Sequence, residues 1–177
     1  MKTRVFIAIF VSVFMFAVTA VSVSAYDHEV KAKNISFAWK IAGDTLHGKI
    51  SAKTKGWVAV GFNPSKKMKD ANIIIGYVKD KDGKITDHFG DKATGHSSDT
   101  KKGGSKDVTL VSGVEEKGVT TIEFTMPLNS ADKLDGTLVV DGDTLLMLAY
   151  GPDRDSFKVR HKYRTSMNVN LATGATK

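Results

Sequence analysis

Two side chains stand against the character of their surroundings. From Phe157 onward the odd positions read Phe157, Val159, His161, Tyr163, Thr165, Met167 and Val169. The even positions read Lys158, Arg160, Lys162, Arg164, Ser166 and Asn168. Strand side chains alternate between faces, so this spacing predicts one strand with an apolar, aromatic inward face and a basic outward face. His161 falls in the inward row with Val159 and Tyr163. An imidazole there is either a packed, hydrogen-bonded core residue or a ligand for a metal or haem iron. Met68 is the converse, an apolar residue in the polar stretch Asn63-Pro64-Ser65-Lys66-Lys67-Met68-Lys69-Asp70. A thioether in such a loop is either a plug on the end of a fold or a soft ligand facing a cavity.

The other titratable residues offer less. His28 follows a segment expected to be removed, where chains are usually mobile. His47 lies on the polar side of its strand, His88 sits beside Asp87 at a strand end, and His96 belongs to a glycine-rich stretch. With no His-x-His pair and no cysteine, a dedicated zinc or copper site has little support. The absence of cysteine also excludes disulfides, iron–sulfur clusters and thioether-linked haem. No Gly-x-Ser-x-Gly elbow is present. Asp132, Asp135, Asp141 and Asp143 read as solvated turn acids. Asp153-Arg154-Asp155 reads as a charged loop where a cation site stays open.

The elements that must hold these residues are strands. Ile35, Phe37, Trp39 and Ile41 alternate with smaller or polar residues, as do Leu46, Gly48 and Ile50 after a turn at Gly43-Asp44. The runs Gly56-Trp57-Val58-Ala59-Val60-Gly61-Phe62 and Ile73-Ile74-Ile75-Gly76-Tyr77-Val78 are continuously apolar, as in strands buried on both faces. Lys81-Asp82-Gly83-Lys84 signals a hairpin turn, and further strands are expected near 84–89, 107–112, 119–126 and 144–150. Residues 90–106 read as a long surface loop. No stretch carries a capped 3.6-residue period. The sum is an all-β chain, an antiparallel β-sandwich of about nine to ten strands.

The chain has 177 residues, enough for one domain. A basic start at Lys2 and Arg4, an apolar run from Val5 to Val23 and the small residues of Val23-Ser24-Ala25 read as a secretory signal over 1–25. The mature domain is then 26–177, periplasmic or extracellular. Left uncleaved, the same run would anchor it at the cell surface. Losing Lys2 and Arg4 takes the formal net charge from +7 to +5. An exported chain of that modest charge argues against nucleic acid. It leaves an acidic protein surface or anionic lipid as charged partners, beside the plainer reading of a charge balance that serves solubility.

The ordered set Gly56–Phe62, Met68, Asp70–Val78, Asp99, Gly118–Leu128 and Leu148–Gly151 followed by His161 resembles a DOMON domain over roughly 35–171. The resemblance implies an immunoglobulin-like sandwich that binds haem or sugars. Members similar to the cytochrome domain of cellobiose dehydrogenase hold a noncovalent haem b between a Met after the Gly-Trp strand and a late His. Carried over by motif, these are Met68 and His161. Trp57, Phe62, Tyr77, Val159 and Tyr163 are then candidates for the cofactor's walls. Two filled axial positions imply electron transfer rather than catalysis, and the Lys158–Arg164 basic strip is either a docking face for an acidic redox partner or a solvated outer face. Two rival expectations use the same sandwich. One is a binding module for sugars or another small ligand without haem, with Trp39 as its aromatic platform. The other is an interaction module within a larger exported complex.

Overall fold

The alternating segments close into hairpins where the backbone turns left-handed. Asp80-Lys81 (φ 52° and 70°) and Lys117-Gly118 (φ 51° and 76°) each place two consecutive residues at positive φ. That is the tight-turn geometry matching the twist of paired strands. The first of these turns lies two residues earlier than expected, because Asp82 already pairs with Lys79.

The computed structural model describes residues 25–177, so the expected signal segment falls outside the described residues except for Ala25. Eleven strands form two antiparallel sheets. The first comprises β1 (His28–Ala32), β2 (Ile35–Ala42), β3 (Thr45–Ala52), β8 (Thr109–Glu116) and β9 (Val119–Pro127), in the order β1-β2-β3-β9-β8. The second comprises β4 (Val58–Phe62), β5 (Asn72–Lys79), β6 (Asp82–Lys92), β7 (Gly95–Ser98), β10 (Asp143–Tyr150) and β11 (Tyr163–Asn170), in the order β11-β10-β4-β5-β6-β7. A 3-10 turn at Asp99–Lys102 is the one helical element among the described residues. The fold is the expected immunoglobulin-like β-sandwich, with two strands beyond those read from sequence. β1 pairs His28 with Trp39, so His28 is fixed rather than mobile. β7 pairs with β6 inside the stretch read as a loop.

The core lies between the sheets. Phe37, Trp39, Ile50, Phe62, Ile74, Ile122, Phe124, Leu146 and Leu148 are buried there. Each large side chain so buried contributes about 1.5–3 kcal/mol. Trp39 is 0% exposed and donates its indole N–H to the Leu171 carbonyl at 2.9 Å. It cannot serve as a ligand platform, and that expectation is corrected. Phe62 is also a core residue, since it shares a face with Val58 and Val60.

A second apolar cluster covers the outer face of the six-stranded sheet. Trp57, Ala59, Ala71, Ile73 and Ile75 are buried in it, with Met68, Tyr77, Met147, Ala149 and Phe157 packed against them. The apolar runs of β4 and β5 thus serve both faces: Val58, Val60, Ile74 and Val78 face the core, while their neighbours face outward. An outer sheet face made of such residues needs a cover.

Candidate functional site

That outer face is the floor of an open cleft of about 1490 Å³. Ala59, Gly61 and Ala149 keep the centre of the floor low, with Ile73, Ile75 and Met147 around them. A Cβ at Gly61 would lie 2.7 Å from the Met147 methyl and 3.3 Å from an Ile73 side-chain carbon. A flat apolar ligand face fits such a floor.

Two loops rise at opposite ends of β4. Past Phe62, the connection to β5 turns sharply, with Lys67 at φ 56°, and carries Met68. Its backbone is tied to β6: Asp70 N–H donates to the Gly90 carbonyl at 2.7 Å and Gly90 N–H to the Ala71 carbonyl at 2.9 Å. Any Cβ at Gly90 would overlap the Met68 carbonyl oxygen, so glycine there lets the loop approach. At the Val58 end, residues 151–162 connect β10 to β11. This loop is held by Trp57, whose indole N–H donates to the Val159 carbonyl at 3.0 Å, and by Lys162 N–H donating to the Tyr150 carbonyl at 2.8 Å.

His161 lies in this loop, ahead of β11. Met68 and His161 therefore line one cleft from its two ends, although far apart in sequence. Trp57, Tyr77 and Val159 line it as well. Tyr163 does not. It packs against the inter-sheet core and stacks on Tyr150, ring centroids 5.5 Å apart. The single-strand reading of 157–169 put His161 and Tyr163 on one face. The strand begins only at Tyr163, so their parity does not carry across, and Phe62 and Tyr163 are both removed from the cleft wall.

The imidazole of His161 is held below its ordinary value, first by burial and then by the Arg164 and Arg160 cations. Arg164 Nη1 lies 3.3 Å from its Nε2. A neutral imidazole keeps a lone pair for a ligand. Lys66, Lys67, Lys101, Lys158, Arg160 and Arg164 make the cleft mouth basic.

Two further histidines enter the cleft that the sequence reading set aside. His88 on β6 and His96 on β7 approach with their Nδ1 atoms 2.6 Å apart. Burial, and then each other's and nearby positive charge, push His88 down to about 4. His96 is also lowered, chiefly by burial. Phe157 packs on Tyr77 at 4.6 Å and reaches His88 at 6.1 Å between centroids. Recognising β7 as a hairpin partner of β6 would have paired these imidazoles. The glycines at 90 and 95 were the available signal.

Residues 31–151 match the family model of the DOMON domain. "DBH-like monooxygenase protein 1" of Homo sapiens is 28% identical over 128 residues, 72% of this chain and 20% of the relative. Its Mus musculus counterpart is 29% identical over 115 residues, 65% of this chain and 18% of the relative. The chain thus spans about a fifth of the length of these curated relatives. Among solved structures, the cytochrome b domain of pyranose dehydrogenase from Coprinopsis cinerea superposes with a TM-score of 0.62 at 12% identity, covering 79% of this chain and 78% of that one. The cytochrome domain of Myriococcum thermophilum cellobiose dehydrogenase gives 0.58 at 11% identity, covering 81% and 77%. At such identities the likeness is one of fold.

Proposed function

The chain belongs to the DOMON domain family, and we propose that its cleft holds a noncovalent b-type haem between Met68 and His161 and that the protein carries electrons. The observation that supports this most is the placement of a thioether and a neutral imidazole at opposite ends of one apolar-floored cleft. The solved relatives of like fold are cytochrome domains by name, which points the same way. When bound, the haem supplies a one-electron ferric–ferrous couple.

The chain's own residues have separable tasks in this reading. His161 and Met68 would both ligate the haem iron, which would leave no open site for oxygen chemistry. A carrier is accordingly preferred to a catalyst. Trp57 fixes the His161 loop through Val159. Ile73, Ile75, Met147 and Phe157 exclude water, and the basic mouth receives the anionic propionates. Lys158, Arg160 and Arg164 at the cleft mouth offer a cationic docking patch to an acidic redox partner. The apolar segment Val5–Val23 supports export to a periplasmic or extracellular setting. With Trp39 fully buried, the haem-free sugar module loses its expected platform.

Titrating haem-free protein with haemin tests the proposal. A saturable one-to-one rise of a sharp Soret band is expected for the wild type. His161→Ala should leave weak, non-stoichiometric absorbance. A wild type that binds no haemin stoichiometrically ends the proposal.

A further inference from the structure

Away from the cleft, four aspartates converge between the sheets at the β6–β8 side. Oxygens of Asp87 (β6), Asp107 (just before β8) and Asp135 (in the β9–β10 connection) all lie within 4.8 Å of one another. Asp99, opening the 3-10 turn, faces the Asp135 carboxyl and is 0% exposed. Neither of its oxygens meets a hydrogen-bond donor, and Oδ1 of Asp87 and Oδ1 of Asp135 are equally unpartnered. The donors present satisfy only the opposite oxygens of Asp87 and Asp135, and Ser105 Oγ donates to Asp107 Oδ2 at 2.7 Å. Ser130 Oγ donates to Asp135 Oδ2 at 2.5 Å, and Asp107 N–H to Asp87 Oδ2 at 3.4 Å. No ion pair among the described residues reaches any of the four.

Buried carboxylates need hydrogen bonds, cations or protons. Here burial and mutual repulsion push Asp87 up to about 8 and Asp99 up to about 7. A bound cation would reverse both effects. Four oxygen-donor groups without nitrogen or sulfur select a hard ion. Four carboxylates from separate segments suit the larger, flexible shell of calcium, whereas magnesium usually takes one or two carboxylates and keeps its waters. We infer that Asp87, Asp99, Asp107 and Asp135 form a calcium site that clamps the 3-10 turn and the β9–β10 connection onto β6. Asp87 adjoins His88, so the clamp steadies the β6 wall of the cleft from behind. The inference rests on this cluster alone and stands whether or not the cleft holds haem.

Calorimetric titration of the chelator-treated, haem-free protein with calcium chloride at neutral pH tests it, with thermal unfolding followed in parallel. One calcium per chain and a melting temperature raised by several degrees are expected. Magnesium at equal concentration should give a much smaller shift, and sodium none. Asp99→Asn should weaken calcium binding about tenfold or more, while its metal-free form melts no lower than metal-free wild type, because one unpaired charge is gone. Asp107→Asn, at a half-buried position, should weaken binding similarly. No calcium response in the wild type, an unchanged response in both variants, or an equal response to magnesium would overturn the assignment.

Discussion

The backbones around Met68 and His161 are held by specific contacts. His161 lies in a loop pinned by an indole hydrogen bond, and Met68 follows a left-handed lysine in a turn that leans on β6. His47 is the natural control. It lies on β3, opposite Lys40 and Thr125, in the sheet that does not form the cleft. His47→Ala should leave haemin affinity unchanged and alter unfolding free energy by no more than about 0.5 kcal/mol, as surface changes do. Loss of haemin binding in that variant would move the ligand role away from His161. The oddity of both proposed ligands was legible in sequence, as a polar residue in an apolar row and an apolar residue in a polar loop. The face of His161 was not. Alternation holds only within a strand, and residues 157–162 keep their apolar–basic rhythm without being one.

Strands β4 and β5 explain why the cleft exists. Their continuous apolar runs correctly announced burial on both faces, one face against the core and the other under the outer cluster. What lay hidden was the cover, because loops that close over a sheet leave no period to read. β6 shows this best. It continues past the expected end at 89, and its register shifts between Phe89 and Lys92 as β7 folds back. Gly90 sits at that irregularity and admits the Met68 loop. Gly90→Ala should therefore act on the cleft from a distance. Forcing a Cβ against the Met68 carbonyl should cost about 1–3 kcal/mol, the range for overpacking. It should also weaken the methionine signature of loaded protein in circular dichroism or magnetic resonance. A variant with wild-type stability and an unaltered signature would show that the β6 contact does not position Met68. Asp135, read as a solvated turn acid, is another case of concealment: it is buried, and Asp87 and Asp107 reach it from distant segments.

Across the whole molecule, two centres lie on either face of β6, with Asp87 turned inward and His88 toward the cleft. The inner one makes stability depend on pH. Asp87 and Asp99 titrate near 8 and 7 in the fold against 3.8 for the free carboxyl, so the folded chain holds protons that the unfolded chain has released. Their favourable contribution is complete below about 4 and lost as pH rises toward 8. In chelator, the melting temperature should fall between pH 5 and pH 8, and calcium should restore it most at pH 8. His88, His96 and His161, all held low, oppose this trend below about pH 6.5, so the contrast is with Asp99→Asn, whose melting temperature should fall less over the interval; an equal fall in both would contradict the cluster's charge balance. The fold class was legible because the core alternates strictly, and the cleft's chemistry was legible only at its two ends. The central claim is that Met68 and His161 together fill both axial positions of a haem. Carbon monoxide binding to the reduced, haemin-loaded protein, compared between wild type and Met68→Ala, tests it most directly. Slow or negligible binding is expected in the wild type, where Met68 must first leave, and ready binding in Met68→Ala. Equally fast binding in both would show that Met68 is not a ligand and that the iron already has an open position.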